Sequence, residues 1–154
     1  MTLKEARFLT GGLSQPGKMP GAGYGLPAFF CPSGKIFRAF SNSVCSKCYA
    51  RKGRYLFRNV QSAQQKRLLA IEDPLWTDAM CVLLENERAN NRMWFRWHDS
   101  GDLMHYAHLS HIVSLAGRLP DMHFWLPTKA YRLIWQLVND QNIYIPDNLT
   151  VRIS

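Results

Sequence analysis

Cys31, Cys45 and Cys48 carry three of the chain's four thiols, spaced as cysteine, thirteen residues, cysteine, two residues, cysteine. A two-residue gap lets Cys45 and Cys48 turn both sulfurs into one space, so a single metal ion or cluster can take both without straining the backbone. Cys31 is a third ligand within reach, returned by a loop that opens with Pro32, Ser33 and Gly34 and closes with Ser41, Asn42 and Ser43. Three thiolates leave one coordination position open. That pattern suits an iron–sulfur cluster with a substrate-binding iron, or a zinc site whose fourth ligand lies elsewhere. The same residues allow two plainer readings: a redox-active pair at Cys45 and Cys48, or cysteines buried as small hydrophobes. Cys81 sits beside a helical apolar stripe and reads as a packing residue, with a fourth-ligand role as the alternative.

Two further groups of side chains could do chemistry. Directly after the cysteines comes Arg51, Lys52, Arg54, Tyr55, Phe57 and Arg58, which concentrates charge with aromatics as a phosphate-and-base groove would. Later, His98, Asp99, Ser100, Gly101 and Asp102 put an imidazole, two carboxylates, a hydroxyl and a flexible glycine into five consecutive residues. His98 could move a proton or ligate a metal, with Asp99 beside it as its catalytic partner. Ser100 and Asp102 could bind an amine or hydroxyl, and Gly101 would let the backbone approach a ligand. The plainer reading is a strand-to-helix turn in which Asp102 caps the helix and Asp99 orients His98. A metal-assisted hydrolase built on His98, Asp99 and Asp102 is a third class, and needs convergent carboxylates.

These residues must be positioned by the rest of the chain. Its 154 residues, 47% hydrophobic and 12% aromatic, suffice for one domain with a real core. No apolar run approaches a membrane span and the N-terminus lacks a secretory core, so the expectation is a cytoplasmic protein with reduced cysteines. A net charge of +8 with a pI near 9.6 favours polyanions, nucleic acid among them. Residues 1–30 are rich in glycine and proline and read as a looped segment ending in a short strand, Ala28 to Phe30, that delivers Cys31. Residues 31–58 form the cysteine-rich basic loop, and residues 59–154 carry helices and strand-helix repeats.

Asn59 is placed to cap a helix to Glu72, and Asp73 with Pro74 signals a second one with Trp76, Ala79, Met80, Leu83 and Leu84 inward. Residues 93–97, MWFRW, read as a strand buried on both faces. A helix from Leu103 to Leu119 follows, then a strand over 122–126, a helix over 131–138 and a strand over 149–153. Of the histidines along the first of these helices, the spacing places His105 near the core stripe, His108 at its flank and His111 toward solvent. Strand starts near 93, 122 and 149 recur with a period just under thirty, which predicts an α/β fold with a parallel sheet. In such sheets ligands bind beyond the strand C-termini. The residues there are His98 to Asp102, then Thr128 and Lys129, then Arg152 and Ser154.

LPAFFCPSG, CSKCYARKGRYLF, FRWHDSGDL, FWLPTKAY and LTVRIS, taken in order from residue 26 to 154, resemble the phage-encoded "gene product eighty-eight" family. That resemblance extends distantly to the radical S-adenosylmethionine enzymes, which are partial strand-helix barrels of the TIM-like type. It implies a [4Fe-4S] cluster on Cys31, Cys45 and Cys48, with Tyr49 packed beside it. Ser100, Gly101 and Asp102 would stand at the methionine end of S-adenosylmethionine, and Arg152 and Ser154 would reach its carboxylate or ribose. Members of the family continue into a second cysteine-rich segment. The resemblance therefore implies a shortened member, an oligomer, or a second chain completing the sheet. The competing expectation is not an enzyme: a Zn2+ ion on the same cysteines, with Cys81 or a histidine as fourth ligand, pins the loop. The basic run Arg51, Lys52, Arg54, Tyr55 and Arg58 then binds nucleic acid or a host protein.

Overall fold

The structure is a computed structural model that describes residues 1–140 and 143–153. Four parallel strands lie side by side in sequence order: β1 (Gly23–Tyr24), β2 (Trp94–Trp97), β3 (His123–Thr128) and β4 (Leu149–Ile153). Six α-helices join or precede them among the described residues. They are α1 (Leu3–Thr10), α2 (Pro32–Phe37), α3 (Arg58–Ala70), α4 (Trp76–Ala89), α5 (Tyr106–Arg118) and α6 (Tyr131–Trp135), the last running on as a π-helical turn, Gln136–Asp140. This is the mixed α/β architecture that the strand-helix period predicts. The sheet is open, with β1 and β4 as its edges, and no TIM-like barrel is formed.

One face of the sheet makes the core. Phe95, Trp97, Phe124 and Leu126 are buried against α4 and α5, together with Tyr24, Trp76, Met80, Leu109 and Ile112. Aromatic edges meet aromatic faces at some of its pairs: the rings of Tyr24 and Trp76 are 5.6 Å apart and those of Phe95 and Trp97 are 4.8 Å apart. The Tyr24 hydroxyl accepts from Trp76 Nε1 at 3.0 Å and donates to the Thr10 carbonyl at 2.6 Å, which ties β1 to α4 and α1. Burial drives its pKa far above the ordinary tyrosine value, so it stays a hydroxyl.

Several expectations are corrected. Residues 1–30 are not all loop. Thr2 and Glu5 close a capping box at the start of α1, Gly11 ends it at φ 73°, and Ala6 and Leu9 pack on Ala79 and Leu83 of α4. Ala28 to Phe30 is a turn, not a strand; the strand before the cysteines is Gly23–Tyr24. The helix after the cysteine loop starts at Arg58 with Phe57 rather than Asn59 as its cap residue. Asp73 accepts from the Leu75 amide in the turn before α4, which starts two residues later than the Asp73–Pro74 signal suggests.

β2 is not buried on both faces, because among the described residues helices cover only one of them: Trp94 is 55% exposed while Phe95 and Trp97 are buried. α5 begins at Tyr106 rather than Leu103, so Asp102 does not cap it. His105 does, accepting from the His108 amide at 3.2 Å. His105 thus lies outside the helix and His108 is the buried histidine, while His111, expected toward solvent, is half-buried with Nδ1 2.8 Å from Thr77 Oγ1 and its ring against Trp76.

Candidate functional site

Beyond the C-termini of β2 and β3 lies a cavity of about 230 Å3. Cys31, Cys45, Cys48 and Tyr49 line it from one side, and Arg96, His98, Ser100, Gly101, Asp102, Thr128 and Lys129 from the other. Three cysteines and a turn more than fifty residues away along the chain thus meet at the sheet edge where ligands bind in parallel sheets.

The cysteine side is built from short turns. Cys31 is the N-cap residue of α2, with its sulfur accepting from the Gly34 amide at 3.2 Å. A Cβ at Gly34 would stand a tight 3.3 Å from that sulfur. Cys45 lies in one 3-10 turn, Val44–Lys47, and Cys48 separates it from the next, Tyr49–Arg51. All three thiols are free. Burial pushes the Cys31 thiol up to about 11; the Gly34 amide opposes this, while Asp102, Cys45 and Cys48 add to it. Burial, with Asp102 and the neighbouring cysteines adding to it, thus keeps Cys31 a neutral thiol at neutral pH. Among the described residues no three His, Cys, Asp or Glu side chains stand close enough together to hold a metal ion as placed.

On the strand side, most of the His98–Asp102 turn is spent holding the fold. Asp102 Oδ1 accepts from Thr128 Oγ1 at 2.6 Å and from the Leu103 amide at 2.8 Å, and Oδ2 accepts from the Lys129 amide at 2.9 Å. Ser100 Oγ donates to the Leu26 carbonyl at 2.7 Å and accepts from Gln64 Nε2 at 2.6 Å. Gly101 has φ 79°, and a Cβ on it would stand 2.7 Å from the Leu26 Cβ. The close approach it permits is to Leu26, not to a ligand. Asp99 turns the other way, accepting from Ser14 Oγ at 3.2 Å, and its carbonyl accepts from the Tyr49 and Tyr55 hydroxyls.

His98 is different. It sits at φ 59°, a left-handed conformation that an ordinary side chain adopts at a cost of roughly 1–3 kcal/mol. Both ring nitrogens are buried with no hydrogen-bond partner. Burial lowers its pKa to about 4, with Asp102 opposing and Arg96 assisting, so at neutral pH it is an uncharged imidazole with a free lone pair. Its ring lies 5.2 Å from that of His108, whose Nε2 is also unpartnered.

The remaining sequence-predicted residues do not join the cavity as a set. Arg152 is exposed on β4, in register with Pro127, one strand away from the lining; Ser154 lies outside the described residues. Cys81, on α4, packs in the core and does not line the cavity. Arg51 stacks over the Phe29 ring at 4.6 Å, and Lys52 and Arg54 are exposed. Tyr55 and Arg58 line a separate open groove of about 540 Å3 with Phe29 and Phe30. The special status of His98 and the fixing of Asp102 by Thr128 are not visible in residue spacing. The one sequence signal near them is the strand-end position of both polar turns.

Neither a curated protein nor a solved structure matches this chain. A family model does, from residue 2 to residue 154, taking in α1 as well as the cysteine loop and all four strands, and the chain belongs to the Gene product 88 family.

Proposed function

We propose that the protein is a metal-centre protein in which Cys31, Cys45 and Cys48 hold a zinc ion or an iron–sulfur cluster, with His98 at the remaining position. The observation that carries this is His98: a neutral imidazole with both nitrogens unpartnered, lining the same cavity as three free thiols. Three thiolates and an imidazole suit zinc and iron–sulfur centres alike. A cation would also offset the burial that disfavours a thiolate at Cys31, since ligand thiols give up their protons on binding. Convergence on an ion requires the Cys45–Cys48 turn to close on Cys31, a movement of surface turns rather than of the sheet.

Were His98 to leave the fourth iron of a cluster open, as a distant resemblance to radical S-adenosylmethionine enzymes would imply, the cluster would supply one electron to a bound cofactor. Ser100 and Asp102 spend hydrogen bonds inside the protein, and the sheet leaves one face open to solvent. We therefore assign the turn a positioning role and the centre no radical step. A phage protein of this kind would act in the host cytoplasm.

The test is metal and sulfide analysis with a visible spectrum on protein purified without oxygen, repeated for Cys31→Ser, Cys48→Ser and His98→Asn. The reading requires about one equivalent of zinc or one cluster per chain, lost in the cysteine variants and weakened in the histidine variant. Failure to take up either, even after incubation with zinc or with iron and sulfide, overturns it.

A further inference from the structure

Helices cover one face of the sheet, and the other face is bare. Strand register sets its side chains in rows. Trp94 pairs with His123, Arg96 pairs with Trp125, which pairs with Thr150, and Pro127 pairs with Arg152. Residues in register share a face and alternate residues share it along each strand. Trp94 is 55% and Trp125 40% exposed, and His123, Thr150 and Arg152 are exposed. The Trp94 and His123 rings are stacked, 4.5 Å apart, and the Arg96 guanidinium lies 4.7 Å above the Trp125 ring. No Asp or Glu occupies any of these rows. Beside them, Met19, Pro20 and Gly21 wall a groove of about 220 Å3 that ends on Trp94 and Trp125.

We infer that this bare face binds single-stranded nucleic acid. Two aromatic platforms two residues apart in register, one of them layered with an arginine, offer π-surfaces for unpaired bases. The exposed Arg152 and the half-buried Arg96 offer positive charge for the phosphates, on a chain of net charge +8. The face interleaves rings with cations, and no Asp or Glu stands in the paired rows to repel a phosphate backbone. A duplex hides its base faces and cannot use the platforms. Arg96 also lines the cysteine cavity, so the face runs up to that site. The binding does not depend on a metal there.

The experiment is a fluorescence-anisotropy titration of the protein with a labelled thymidine oligonucleotide at several salt concentrations, checked by quenching of tryptophan emission. Saturable binding is expected, with log K falling against log salt by about 0.7 for each phosphate neutralised. Loss of a stacking platform in Trp125→Ala or Trp94→Ala should weaken binding by about 5- to 150-fold, the range for one stacked base. Arg152→Ala should cut the salt slope by about 0.7. Both tryptophans are solvent-exposed, so circular dichroism should show the variants folded; Arg152→Glu serves as a second probe that removes no packing. Four results overturn the inference: no salt-dependent binding at low salt; unchanged affinity in both tryptophan variants; loss of binding only on changing Arg51, Arg54 and Arg58 to Glu, which moves the site to the loop; or a stable dimer whose tryptophans are shielded from a soluble quencher, which makes a second copy the occupant.

Discussion

The carboxylate of Asp102 accepts a hydrogen bond from the hydroxyl of Thr128 at 2.6 Å, joining the ends of two neighbouring strands from residues 26 positions apart. The same carboxylate takes the Lys129 amide, so one side chain fixes the two loops that face the cysteines. Asp102→Ala strands a buried hydroxyl and two amides at once. It should cost about 2–4 kcal/mol in urea denaturation, since orphaning a buried donor costs roughly 1–3 kcal/mol. Thr128→Val, which removes one donor to the carboxylate and the acceptor of the Ala130 amide, should cost less. Equal stability of wild type and Asp102→Ala would mean that the carboxylate does not bear on the fold.

His98 and His108 should make the protein acid-sensitive well above the range of its carboxylates. Burial lowers His98 from 6.5 to about 4 and His108 further below its ordinary value. As pH falls through 6.5 the unfolded chain takes up protons that the native state refuses. Stability is therefore full above 6.5 and is lost progressively toward 4. For His98 a difference of this size is about 3 kcal/mol. His98→Asn keeps a residue that tolerates a left-handed backbone and should flatten the fall in stability between pH 6.5 and 4.5 by about one proton. An unchanged slope would place the titration elsewhere.

Two glycines should prove irreplaceable and a third dispensable. An alanine Cβ at Gly21 would stand 1.9 Å from the Trp94 carbonyl oxygen, and one at Gly101 would meet Leu26 at 2.7 Å on a backbone with φ 79°. Gly21→Ala and Gly101→Ala should each cost about 2 kcal/mol or more, whereas Gly17→Ala, with nothing within 4 Å, should be nearly neutral. Thermal melts of the three variants distinguish these outcomes directly.

The cap of α1 should be measurable on its own. Thr2 Oγ1 accepts from the Glu5 amide at 3.2 Å, and the Glu5 carboxylate accepts from the Thr2 amide at 2.7 Å. Thr2→Ala should destabilise by about 1 kcal/mol, and a change near zero would show that tertiary contacts alone hold the helix.

The parallel sheet could be read from period alone because β2, β3 and β4 each start with large or branched residues after a polar break, and β4 spans residues 149–153 as the pattern predicts. Elsewhere the local signal pointed the wrong way. Glycines and prolines after residue 10 outweighed the Thr2–Glu5 capping box, which is the true sign of α1. β1 is only Gly23–Tyr24, held by pairing with Arg96 and Trp97 rather than by propensity. Five large side chains in MWFRW concealed an alternation, since a tryptophan facing solvent looks the same in sequence as one in the core. Asp102 has the right type for a cap, and its actual partners lie in another strand. The meeting of the cysteines with the 98–102 turn followed from topology, because both leave the same end of the sheet. The orphaned nitrogens of His98 depend on its left-handed backbone, for which no local residue pattern speaks.

From residue 31 to residue 57 the chain buries only Cys31, Ser33, Gly34 and Ala50. The hydrophobic clusters that hold the sheet together include none of them. Such a segment opens at far less than the global unfolding free energy, so its amides should exchange with deuterium well before those of β2 and β3. An order of assembly follows: the sheet and its helices can form first, and the segment that walls the cavity can settle onto that finished scaffold afterwards.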